Sequence, residues 1–260
     1  KVLRPDVAAQ NGWAMVHAVM MSLDPRFSFG VLYRNYQKDY QTLYNAGFSE
    51  GSNTQNEEGT YAAVKWKLAS AWSLNAYVDL FKFPWMKYGV DSPSYGHEIL
   101  LQPVYRPSKT FEIYGRFRQQ MRQKNSRDSD GTVTEIEDVM QRNYRLNMSC
   151  VLNEFISLKT RLEYVTVHRA SNTPEKGMML SQDLIFKPKS SPFDVSLRFA
   201  LFDTDSYDTR IYTFESNALY VFAVPAYYYQ GSRAYVLLRY SFWRSCDLWI
   251  KYGVFLYENR

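Results

Sequence analysis

The sequence predicts an all-β chain, an up-and-down antiparallel β-barrel that crosses a membrane, with about twelve strands in view. Three observations predict it. Apolar and polar residues alternate with period two over most of the chain, in segments of ten residues or more, so each segment has one apolar and one polar file. Tight and long connections take turns, as in a meander with short turns on one side and long loops on the other. Charges also recur at successive positions of the polar file, which suits an enclosed polar interior.

The elements follow in chain order. A first strand over 13–22 ends at LDPR, 23–26, and the polar stretch 38–58 separates the next strand from one that carries Lys65 and Lys67 on its polar file. In WSLNAYVDL, 72–80, Trp72, Leu74, Ala76, Val78 and Leu80 oppose Ser73, Asn75, Tyr77 and Asp79. After the loop 83–96 and the tight turn RPSK, 106–109, TFEIYGRFRQ sets Phe111, Ile113 and Phe117 toward lipid and Glu112, Arg116 and Arg118 inward. The loop 123–138 follows. Beyond the turn at Asn153 and Glu154, Ile156, Leu158, Leu162 and Tyr164 oppose Lys159, Arg161 and Glu163. A loop at 170–176 and the turn KPKSSP, 187–192, precede the strand in which Val195, Leu197, Phe199 and Leu201 oppose Asp194 and Arg198. The segment 203–231 is the longest predicted loop, and two strands close the chain. Ala234, Val236, Leu238, Tyr240 and Phe242 oppose Arg233 and Arg239 in the first; Leu248, Ile250, Tyr252, Val254 and Leu256 oppose Asp247 and Lys251 in the second, after the turn RSC, 244–246.

Composition agrees. The chain has 260 residues, 46% of them hydrophobic, yet a mean hydropathy of -0.41, so the apolar residues are dispersed. No window approaches eighteen consecutive apolar residues, which excludes a helical span. Aromatic residues reach 17%, with 22 Tyr, 16 Phe and 6 Trp, a supply of amphipathic rings for a membrane interface. A soluble sandwich also alternates, but its strands peak at about five or six residues and its Greek-key connections mix long with short. Cys150 and Cys246, in mid-strand and beside a turn, are expected as unpaired thiols.

Little in the chain points to catalysis. His17, His97 and His168 lie in separate regions without a metal-binding spacing, so no catalytic site, metal or cofactor is expected. In DTDSYD, Asp203, Asp205 and Asp208 fall within six residues; a solvated turn is the plainer account than a Ca²⁺ site, because the Gly and terminal Glu of a calcium loop are missing. Phe83 to Met86 reads as an aromatic belt or a partner contact. The polar file carries thirteen basic residues: Arg34, Lys65, Lys67, Arg106, Arg116, Arg118, Arg145, Lys159, Arg161, Arg198, Arg233, Arg239 and Lys251. Seven acids stand against them: Asp79, Glu98, Glu112, Glu163, Asp183, Asp194 and Asp247. Such an interior either passes anions or contacts phosphate groups of nucleic acid or lipopolysaccharide, or else locks itself with ion pairs. In the loop 203–231, Ile211, Tyr212, Phe214, Leu219, Tyr220, Val221, Phe222 and the run Tyr227, Tyr228, Tyr229 are expected to need burial, as a plug on the basic lumen, as a hairpin above the membrane or against a partner protein; the first is favoured, with Asp203, Asp205 and Asp208 pairing with lumen arginines such as Arg233 and Arg239.

The stretches YQTLYNAGFSEGSNTQNEEGTY (40–61), LNAYVDLFKFPWMKYGVDSPSYG (74–96) and ALFDTDSYDTRIYTFESNALYVFAVPAYY (200–228) resemble the C-terminal barrel region of large Bacteroidota outer-membrane proteins labelled as helix-hairpin-helix proteins. The resemblance implies residence in the bacterial outer membrane, in contact with its lipid and lipopolysaccharide. Parity of strand direction adds the expectation of one more strand at each end, about fourteen in a complete barrel. Three roles are open at this point: a subunit or anchor beside other outer-membrane or periplasmic proteins, an anion-passing pore, or a component of DNA uptake, the last implied by the family label.

Overall fold

A computed structural model describes residues 12–42, 47–126, 135–170, 173–189, 191–243 and 246–258. Fourteen strands are formed among them, in chain order β1 (Ala14–Asp24), β2 (Phe27–Tyr36), β3 (Glu57–Lys67), β4 (Trp72–Phe83), β5 (Ser94–Tyr105), β6 (Phe111–Asn125), β7 (Ile136–Val151), β8 (Ile156–Arg169), β9 (Glu175–Phe186), β10 (Phe193–Thr204), β11 (Ile211–Tyr212), β12 (Ala226–Tyr227), β13 (Gln230–Trp243) and β14 (Cys246–Tyr257). Twelve of them make one antiparallel sheet in the order of the chain, interrupted only by β11 and β12, which pair with each other. The long strands have ten to sixteen residues, far above the globular mode of about five or six.

The alternation becomes physical sidedness. In β10, Ser196, Arg198, Ala200, Phe202 and Thr204 are buried, while Leu197, Phe199 and Leu201 are exposed. The same inversion holds in β9, where Met179 and Ser181 are buried and Met178, Leu180 and Leu184 are exposed. A water-soluble sheet does the reverse, because water would charge a free-energy cost for each exposed apolar chain. The outer face is therefore built for an apolar solvent, and Thr160 and Gln182 satisfy each other there at 2.6 Å. Aromatic rings gather at strand ends: Trp72 against Tyr105 (4.7 Å between centroids) and Phe193 stacked on Tyr240 (4.5 Å) lie beside the tight turns. We expect Leu180→Arg, on the outer file in mid-strand, to destabilise the folded form by about 2–4 kcal/mol. Ser181→Thr, one residue along on the other face, should leave it near wild type. Heat-modifiable mobility of detergent-refolded protein reads both, and equal loss in the two variants would refute the sidedness.

Residue contacts divide the chain into two compact units. One holds Lys1–Trp66, Asn75–Leu100 and Gln119–Met140; the other holds Lys67–Leu74, Leu101–Arg118 and Gln141–Arg260. The first is organised around Arg34. The second contains the segment between β10 and β13, which begins with a short 3-10 turn, Tyr207–Thr209, capped by the Ser206 side chain.

Candidate functional site: the charged face and the returning loop

In the first unit, Arg34 is wholly buried, at 0% exposure. Its Nε donates to Glu57 at 2.6 Å, and its Nη1 and Nη2 donate to the two oxygens of Asp79 at 2.9 and 3.1 Å. One guanidinium thus meets two carboxylates from the neighbouring strands β3 and β4, with the bidentate geometry that Lys could not supply. Space for it comes from a glycine. Arg34 is paired across the ladder with Gly59, and a Cβ built there would lie 2.7 Å from the guanidinium carbon. Glu57 has a second task, accepting the backbone N–H groups of Glu50 and Gly51, so it hangs the loop 47–56 on the sheet. Glu98 accepts from Tyr77 and Gln120 in the same unit.

In the second unit the wall cations reach a loop rather than only each other. Arg161 donates to Thr213 Oγ1 at 2.9 Å and to the Tyr212 carbonyl at 2.9 Å, and also pairs with Glu163, which Arg145 binds through two hydrogen bonds. Arg198 is bidentate to Asp183 and donates to the Phe214 carbonyl at 2.7 Å. Arg233 holds both oxygens of Glu215 at 2.9 Å, Lys251 reaches one of them at 2.9 Å, and Tyr227 donates to the other at 2.9 Å. Again a glycine makes room: a Cβ at Gly253 would lie 2.7 Å from Arg233. Segment 211–216 therefore lies along the polar face of β8, β10, β13 and β14. Alternation within it explains how, since Ile211, Thr213 and Glu215 point to the sheet and Tyr212 and Phe214 away.

Apolar contacts seat the same loop. Ile211 and Tyr227 are 1% and 0% exposed, and Tyr227 meets Phe202 and Phe255 edge-on at 5.3 and 5.5 Å. Burial of two such side chains is worth about 1.5–3 kcal/mol each. Burial alone would raise the Glu215 carboxyl; the donors Arg233, Lys251 and Tyr227 outweigh it and hold the group at about 2. Burial first, and Glu215 second, push the Tyr227 hydroxyl upward.

Other expected residues fall differently. Lys65 and Lys67 share the file of Glu57 but are exposed. Arg116 donates to Gln102 at 2.6 Å, and Arg118 stands half-buried on the same strand. The expected pairing of Asp203, Asp205 and Asp208 with Arg233 and Arg239 is not what forms. Asp203 is exposed on the outward file of β10 with Leu197, Phe199 and Leu201, Asp205 caps the Lys176 N–H at 2.8 Å, and Asp208 binds Arg169 at 2.9 Å: the first lies on the face opposite Arg233, and the other two lie past the end of β10. Arg239 instead pairs with Asp194 and Asp247 at 3.0 Å each. Of the loop residues expected to need burial, Ile211 and Tyr227 find it within the chain; Tyr220 and Phe222 are 98% and 81% exposed, and Tyr212, Phe214, Leu219, Val221 and Tyr229 are exposed too, while Tyr228 is half-buried against Tyr257. Tyr212 and Phe214 are exposed because the alternation that seats Ile211, Thr213 and Glu215 turns them away from the sheet. Both cysteines are free thiols. Among the described residues no group of three His, Cys, Asp or Glu is arranged to hold a metal.

Sequence reasoning passed over Glu57 and Glu215. The first was legible, because it continues the file of Gly59 and Lys65 backward into what reads as a loop; the second carries no local signal beyond the short alternation from Ile211.

No family model and no curated protein matches the chain. Solved structures do. The ferric citrate transporter FecA in its unliganded form is similar with a TM-score of 0.56 at 13% identity, over 95% of this chain and 42% of that one. An anion-selective porin from Comamonas acidovorans is similar with a TM-score of 0.48 at 12% identity, over 92% of this chain and 59% of that one. The chain thus spans about half the length of these structures. The likeness to the transporter shows the fold: an antiparallel β-barrel of the outer-membrane type.

Proposed function

We propose that this chain is an integral outer-membrane barrel that serves as a subunit or anchor of a membrane complex, its interior closed by ion pairs and by the returning loop. The observation that carries this reading is the matching of inward cations with acids. Arg34, Arg145, Arg161, Arg198, Arg233, Arg239 and Lys251 each meet a carboxylate, so these seven of the thirteen cations read from the polar file are engaged within the protein rather than free for a passing anion. The outward apolar files contact lipid, and the exposed loop tip around Tyr220 and Phe222 offers apolar surface to a neighbouring outer-membrane protein. The resemblance of 40–61, 74–96 and 200–228 to outer-membrane barrel regions supports the location.

Deleting 207–229 tests it. The deletion removes Glu215 and leaves Arg233 and Lys251 facing the interior without their carboxylate. In planar bilayers the wild-type protein is expected to be silent, and the deletion to conduct with a preference for anions, while keeping heat-modifiable mobility. A second reading, an open anion-passing pore, is favoured by the exposed Lys65, Lys67 and Lys159 on the polar file. It predicts anion conductance in the wild type, and that result would displace the first.

A further inference from the structure

The first unit contains a cavity that the closed-barrel reading does not use. Its volume is about 620 Å³, and it lies among the segments 38–39, 50–56 and 83–90 and the end of β6 at 122–124. Two buried side chains fix its walls. Glu57 holds the backbone of residues 50 and 51. Asn56, in the left-handed region at φ 53°, donates to the carbonyls of Trp85 and Met86 at 2.8 and 3.3 Å and accepts the Trp85 N–H at 2.9 Å. A turn closed by reciprocal bonds between Lys87 and Val90, with Gly89 at φ 74°, completes the rim.

The charges of this cavity are unbalanced. Lys38, Lys87, Arg122 and Lys124 line it against Asp39 and Glu50. Glu50 is engaged by Arg122. Arg122 Nε is buried without a hydrogen-bond partner among the described residues. The Lys87 ammonium lies 3.2 Å from the centre of the Phe83 ring, and the Lys38 ammonium 4.7 Å from that of Trp85, so aromatic faces stand where carboxylates would be expected. Burial first, and Arg122 next, lower Lys87 to about 8, the signature of a desolvated cation short of counter-charge. The remaining wall combines Ser52, Asn53 and Gln55 with the exposed ring of Trp85.

We propose that this cavity binds a small acidic saccharide, a phosphorylated or carboxylated sugar, with its anion between Lys87 and Arg122 and its hydroxyl groups toward Ser52, Asn53 and Gln55. The anion supplies the missing charge, and the volume exceeds what an inorganic anion needs. An edge of amides and one aromatic ring suits a hydroxylated ring.

Calorimetric titration of the detergent-purified chain tests the assignment. Glucose 6-phosphate and glucuronate are expected to bind saturably, with glucose at least tenfold weaker. Lys87→Met, which keeps the aliphatic stem, should weaken glucose 6-phosphate at least tenfold. If that variant fails to fold, Lys38→Met should weaken it at least threefold. Equal binding of glucose and glucose 6-phosphate, inorganic phosphate binding as tightly as the sugar phosphate, or unchanged affinity in a folded Lys87→Met protein would each overturn the proposal.

Discussion

Arg34→Met is expected to cost the folded protein about 3–5 kcal/mol, among the largest effects of any single substitution in the chain, because it leaves two buried carboxylates facing each other without a cation. Arg34 and Glu57 have 0% exposure and Asp79 3%, so neither carboxylate left behind is already solvated. The loss should also spread. Glu57 positions the loop backbone at residues 50 and 51, and a displaced Glu57 releases that loop. Gly59→Ala should approach the same phenotype, since its Cβ would enter the volume of the guanidinium. Denaturant unfolding of refolded protein measures the cost. Triple replacement by Arg34→Met, Glu57→Gln and Asp79→Asn should recover much of it, because no uncompensated charge then remains. Unfolding of Arg34→Met indistinguishable from wild type would show that the triad is not stabilising.

Acidification should release the returning loop. The Glu215 carboxyl stands at about 2, below its ordinary value near 4.5, because Arg233, Lys251 and Tyr227 outweigh the penalty of its burial. A carboxyl lowered in the folded state stabilises it fully above the ordinary value, and that contribution disappears as pH falls from about 4.5 toward 2. The difference corresponds to about 3 kcal/mol held by one side chain at neutral pH. Glu215→Gln should therefore loosen the loop at pH 7, where the wild type is closed, and should flatten the acid response between pH 4.5 and 2. Conductance in planar bilayers reads both effects. If acid opened wild type and variant with the same midpoint, Glu215 would not be the latch.

What the sequence determined by itself is the strand architecture. Period two places alternate side chains on opposite faces whatever the surroundings, so the files through Leu197, Phe199 and Leu201, or Arg161 and Glu163, could be read without knowing a neighbour. Strand lengths and connection lengths are local as well, and the segments around 38–58, 83–96 and 203–231 needed no contact information to be recognised as long loops. The charged residues of the polar face were legible as a set; their partners were not. Arg198 with Asp183 and Arg239 with Asp194 are direct cross-strand neighbours, a relation that exists only once the register is fixed. The same loss of information hid Glu215, which reaches Arg233 only because the loop folds back over the sheet. Periodicity tells a side chain which way to point, but the energy of an ion pair depends on separation in space. Tertiary structure alone decided that Asp205 and Asp208 bind past the end of β10, that Glu57 and Glu215 enter the charged face, and that Tyr220 and Phe222 are left in the open.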